Sequence, residues 1–153
     1  MCFFYILMAG CLFSLDQFIK HFVSGRFLPG EGVKILENVF HITLVHNTGI
    51  AFGLLRNKYN LSFMFFVLGL ILCALILLHG KNHSRIGKIS LSLIISGALS
   101  NLFDRLRLGY IIDYLDFRIW PVFNIADASI TIGVFLVIWE IYKSKDANSK
   151  RYI

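Results

Sequence analysis

Apolar positions in this chain gather into four long runs separated by polar segments. The first, Met1 to Leu15, carries no charge before Asp16. Fifteen helical residues rise only about 22 Å, short of the roughly 30 Å hydrocarbon core of a bilayer. Either the helix continues past Asp16 or that carboxylate sits near the membrane surface, and the span is placed at about residues 1–19. Asp16 and Lys20 are four apart and can pair along one helix face. Tyr59 to Gly80 is uncharged between Lys58 and Lys81, long enough to cross a bilayer. A third span, at about 87–104, is uncharged from Ile89 to Phe103 and closes on Asp104-Arg105. The fourth, at about 120–141, is broken between Trp120 and Trp139 only by Asp127.

The segment from 21 to 58 has a different texture. Gly25, Pro29, Gly30 and Gly32 break helix, and Val39, Phe40, Ile42, Thr43 and Val45 favour strand. The expected fold is a single all-α membrane domain over 1–153: a four-helix transmembrane bundle with a small extramembrane β-rich segment between helices 1 and 2. A polar loop is expected from Asp104 to about Ile119, with Asp116 and Arg118 on its solvated side.

Composition supports this. The chain is 57% hydrophobic and 16% charged, against roughly 45–50% and about 25% in soluble domains. The net charge of +6 is concentrated in short segments. Lys81, Arg85 and Lys88 lie between spans two and three, and Lys143, Lys145, Lys150 and Arg151 lie in the tail. Basic loops stay inside, so both termini and the middle loop are assigned to the cytoplasm. No basic face is interleaved with aromatics, so no nucleic-acid partner is expected. Cys2, Cys11 and Cys73 lie in apolar runs without metal-ligand spacing and are expected as small buried hydrophobes.

Four alternating spans put the ends of the first and third and the start of the fourth on the outer side. Asp16, Asp104 and Asp127 then converge, and Asp113 lies on the same side in the connecting loop. Carboxylates at membrane depth are costly and signal function. A peptidase and a small proton- or ion-conducting protein both use such groups, and spacing alone leaves the two open. The chain has no HExxH, no G-x-S-x-G and no cysteine with an evident histidine partner. Two carboxylates can hydrolyse an amide when one stays protonated and the other acts as base.

Five motifs, in order, resemble those of the lipoprotein signal peptidase (signal peptidase II) family. Asp16-Gln17-Phe18-Ile19-Lys20 resembles D-Q-x-x-K, and Asn47-Thr48-Gly49-Ile50-Ala51-Phe52 resembles N-x-G-x-A-F. Gly97 to Arg105 resembles G-A-x-G-N-x-x-D-R, with Ser100 in the place of its second glycine. Ser96 likewise replaces the first glycine of the usual G-G-A. Gly109 to Asp113 resembles G-x-(I/V)-(I/V)-D, and Phe123 to Asp127 matches F-N-x-A-D. The resemblance implies an aspartic endopeptidase of the bacterial inner membrane, with its site near the outer face. Such an enzyme cuts before the lipidated cysteine of diacylglyceryl-modified prolipoproteins, without metal or organic cofactor. On matching positions the catalytic pair is Asp113 and Asp127. Asp16, Lys20, Asn47, Gly49, Asn101, Arg105 and Asn124 support the site or meet substrate. The implied partners are lipid-modified prolipoproteins, membrane lipid and globomycin-like cyclic peptide inhibitors.

Overall fold

A computed structural model describes residues 2–48 and 84–149. The chain order is α1 (Cys2–Ser24), β1 (Gly32–Leu36), β2 (Phe40–Asn47), α2 (Arg85–Leu108), β3 (Ile111–Asp116) and α3 (Ile125–Ser149). Phe3–Ser24, Arg85–Leu108 and Ile125–Lys143 are each long and apolar enough to cross a membrane.

The expectation of an all-α four-helix bundle is overturned. Among the described residues there are three helices and a three-stranded antiparallel sheet ordered β1-β2-β3. The third strand comes from the segment expected as a polar loop. Its sequence, Ile111-Ile112-Asp113-Tyr114-Leu115-Asp116, pairs with β2, with Val45 opposite Asp113 and His46 opposite Ile112. That pairing reaches across more than sixty residues, so no local pattern announces it. The expected span at 59–80 lies outside the described residues.

α1 does not stop at its first charge. It runs on through Asp16 and Lys20 to Ser24, because both charged groups are buried and paired with each other at 2.8 Å. Its 23 residues reach about 34 Å, enough for a bilayer. Cys11 is exposed on this helix rather than buried.

α2 is capped at both ends. The Ser84 hydroxyl accepts from the Gly87 N–H, and Gly109, at φ 82°, donates its N–H to the Arg105 carbonyl. Only glycine takes that left-handed turn at little cost. α2 and α3 run antiparallel and very close. A Cβ on Gly97 would collide with the Ala126 carbonyl oxygen, and one on Gly133 would lie 2.9 Å from the Ser90 carbonyl oxygen. Small residues permit this backbone approach, which drives helix association in lipid. Gly97→Val should therefore lower stability by about 1–3 kcal/mol, read as thermal unfolding in detergent micelles. Gly10→Ala, where an added Cβ meets nothing within 4 Å among the described residues, should leave the transition in place.

The sheet packs on the C-terminal end of α1. Val23 of α1, Leu44 of β2 and Ile112 and Tyr114 of β3 form one buried apolar cluster. After β3 the chain doubles back. Arg118 turns at φ 66°, its N–H and guanidinium both donating to the Asp116 carboxylate. Asp116 also accepts from Thr43 Oγ1 at 3.0 Å, so it is a buried turn anchor and not the solvated loop residue expected. Phe123 then pairs with Leu115, and this return sets the next residue, Asn124, beside Asp113.

Candidate active site

The polar site forms where the ends of α1 and α2 meet the start of α3 and strand β3. Lys20 is its cationic centre and is 1% exposed. Its ammonium donates to Asp16 Oδ2 and Asp104 Oδ2, each at 2.8 Å, and to Asn101 Oδ1 at 2.9 Å. Three protons thus meet three acceptors. A buried charge is tolerable only when paired and hydrogen-bonded in this way.

The two anions are satisfied further by neutral donors. Asp16 Oδ2 accepts from the Ser100 hydroxyl at 2.6 Å. Its Oδ1 accepts from the Tyr114 hydroxyl at 3.1 Å and the Ala126 N–H at 3.2 Å. Burial first, then the neighbouring Asp16 carboxylate, holds the Tyr114 hydroxyl well above the usual phenol range, so it remains a donor. Asp104 accepts from Gln17 Nε2 at 2.9 Å and from the Ile112 N–H at 3.2 Å. Asp104, whose role the sequence left open, therefore ties α1 and α2 to β3.

Asp113 and Asp127 lie on the far side of Asn101 and Asn124 from this cluster. Asp113 Oδ1 accepts from Asn124 Nδ2 at 2.7 Å, and Oδ2 from Asn47 Nδ2 at 2.9 Å. Asn47 sits two residues past Val45, the register partner of Asp113, and so is its diagonal neighbour on the same sheet face. Asp127 Oδ1 accepts from Asn101 Nδ2 at 2.8 Å. Its other oxygen accepts from the Asn124 N–H at 3.3 Å, while Asn124 Oδ1 accepts from the Asp127 N–H at 2.8 Å. That reciprocal pair is a capping box, which explains why Asn and Asp stand three apart at the helix start. One asparagine thus grips both aspartates: its amide N–H donates to Asp113 and its cap bonds orient Asp127.

Burial foremost, then the nearby Asp127 charge, raises the Asp113 carboxyl to about 7, against the pull of Asn47, Lys20 and Asn124. A carboxyl so placed can hold a proton at neutral pH. Asp113 is fully buried, and Asp127 is partly open.

Of the nine site residues expected, Asp16, Lys20, Asn47, Asn101, Asp113, Asn124 and Asp127 fall into this single network. Arg105 reaches the Thr48 carbonyl at 3.5 Å, at the end of β2. Gly49 lies outside the described residues. Gln17, Ser100 and Tyr114 belong to the network without having been singled out for it. Gln17 and Tyr114 directly follow Asp16 and Asp113, which was the available clue.

Apolar helices closing around buried carboxylates make this a membrane protein with a polar site at one end of its helices. Residues 8–143 match the family model described as signal peptidase (SPase) II. The chain is 41% identical to the lipoprotein signal peptidase of Moorella thermoacetica, over 90% of this chain and 91% of the relative. It is 42% identical to that of Halothermothrix orenii, over 86% and 90%. A solved bacterial membrane enzyme, studied by the in meso method, superposes with a TM-score of 0.83 at 30% identity, covering 92% of this chain and 88% of that one. The chain belongs to the signal peptidase II family. Its function is that of a membrane signal peptidase II, which sets aside the proton-conduit alternative.

Proposed function

We propose that this chain is an aspartic endopeptidase of the bacterial inner membrane with Asp113 and Asp127 as its catalytic pair. Its substrates are prolipoproteins already carrying diacylglycerol, cut just before the lipidated cysteine. The carrying observation is Asn124, which binds one aspartate through its amide and caps the other through its backbone. A single proton is shared by the pair, which titrates as a unit. Asp113, the more enclosed carboxyl, keeps that proton and donates to the scissile carbonyl oxygen. Asp127, the more open one, takes a proton from water as the water attacks. The tetrahedral intermediate then collapses: the C–N bond breaks and the cysteine nitrogen leaves as an amine with a proton from the pair. Asn101 holds Asp127 in place throughout. No step requires a metal or an organic cofactor.

Both termini are assigned to the cytoplasm and the site to the outer membrane face, following the basic segments in the sequence. Arg105 and Asn47 would meet the substrate chain, and membrane lipid would flank the bound acyl groups. Globomycin-like cyclic peptides are expected to compete for the same cleft. The test uses the purified chain in detergent micelles with precursor peptides that carry or lack the diacylglyceryl group. Cleavage immediately before cysteine, only in the modified peptide, is expected. Equal cleavage of both, or cleavage elsewhere, would refute the substrate assignment.

A further inference from the structure

α2 carries several buried serines, and they do not behave alike. Ser90 Oγ donates to the Ile86 carbonyl and Ser92 Oγ to the Lys88 carbonyl, each one turn back in their own helix. Such bonds satisfy a hydroxyl without reaching another element. Ser100, which is fully buried, does something different. Its hydroxyl donates to Asp16 Oδ2 at 2.6 Å and accepts from Gln17 Nε2 at 2.8 Å, both on α1. At this position the motif quoted above has glycine, which offers no such group.

What Asp16 holds gives the hydroxyl its significance. Asp16 Oδ1 accepts from Tyr114, the residue after Asp113, and from the N–H of Ala126, the residue before Asp127. The Tyr114 oxygen also accepts from the Ile125 N–H at 3.3 Å. One carboxylate therefore joins β3 to the first turn of α3 directly behind the two aspartates. Lys20 grips the other oxygen, but it is shared with Asp104 and Asn101. The serine is the remaining side-chain donor on Oδ2, and together with Lys20 it fixes the plane of the carboxylate.

We propose that Ser100 is a positioning residue for the catalytic pair: its hydroxyl orients Asp16, and Asp16 sets the spacing between the chain segments bearing Asp113 and Asp127. The proposal rests on the reading of those two as the catalytic pair. Without the hydroxyl, the shared ammonium is the one side-chain donor left on Asp16 Oδ2 among the described residues, and the carboxylate can rotate away from Tyr114 and Ala126. Small misplacements of reacting groups cost rate far more than binding.

The test compares Ser100→Ala and Ser100→Gly with the unaltered enzyme on a lipidated precursor peptide, kcat and KM being measured separately on monodisperse protein. Alanine suits a helix interior, so folding should survive. Both variants should lose about tenfold in kcat with KM nearly unchanged. Tyr114→Phe, which cuts the same link one step on, should lower kcat too. The double variant Ser100→Ala/Tyr114→Phe should then be no slower than the worse single one, since both break one chain. Unchanged kcat in the serine variants, a loss confined to KM, or losses that multiply in the double variant would each overturn the proposal. Asp113→Asn run alongside separates the two levels: if it cleaves normally the catalytic reading itself fails, and if it is inactive while Ser100→Ala is normal, only the positioning role fails.

Discussion

Asp113→Asn and Asp127→Asn should each abolish cleavage of a lipidated precursor, by a factor on the order of 10³ or more. The substitution is nearly isosteric, so packing is kept while the chemistry is lost. At 113 the amide oxygen can still accept from one of Asn47 and Asn124, which both donate to the carboxylate, but the amide cannot donate an acidic proton to the scissile carbonyl oxygen. At 127 it cannot take a proton from water. The two losses should not multiply in the double variant if, as proposed, the pair acts as one acid–base unit. Both variants should remain folded, since Asp113 and Asp127 are held by asparagines and a backbone N–H rather than by an ion pair. Precursor accumulation followed by intact mass, beside a melting curve, checks both halves of the expectation.

Lys20→Met should have the largest effect on stability, about 3–5 kcal/mol. The methionine fills most of the lysine's volume but supplies no charge. Asp16 and Asp104 would then share a buried space with no cation, each having lost a contact of 2.8 Å. Replacing a whole buried ion cluster by apolar groups can be neutral, whereas removing one member strands the others. Chemical or thermal unfolding of the micelle-bound protein reads this loss directly. A variant within about 1 kcal/mol of the parent at neutral pH would mean that the cluster is more open to water than its burial implies.

Much of this was legible in the sequence, and the gaps have physical causes. The membrane character, the helices beginning near Cys2 and Arg85, and the gathering of carboxylates at one end follow from long apolar runs and their order. The full reach of α1 was harder to see. A carboxylate in an apolar run reads as a boundary unless its partner is known, and only one of its partners, Lys20, is local. Strand β3 does not show in the sequence because a six-residue segment with two aspartates looks like a loop until β2 is beside it. Asp116 looks solvated in the sequence for the same reason: the Thr43 hydroxyl that holds it comes from the other strand. The asparagines tell the opposite story. The motif resemblance places Asn47, Asn101 and Asn124 at the site, and the structure gives the reason. Each must donate to a carboxylate, and an amide can do so while its oxygen accepts from a neighbour. Ser100 was visible as a departure from the motif, but its meaning needed the geometry of α1 against α2.

The central claim is that one proton is shared between two carboxylates at neutral pH, and the pH dependence of kcat/KM on a lipidated precursor tests it most directly. With Asp113 raised to about 7 by burial and by the Asp127 charge, its acid form is present below that value and lost as pH rises through it. The basic partner must be ionised, so the rate also falls in acid. The expected curve is a bell whose alkaline side declines near neutrality. A rate that keeps climbing well into the alkaline range, as a lysine base or a thiolate nucleophile would give, would contradict it.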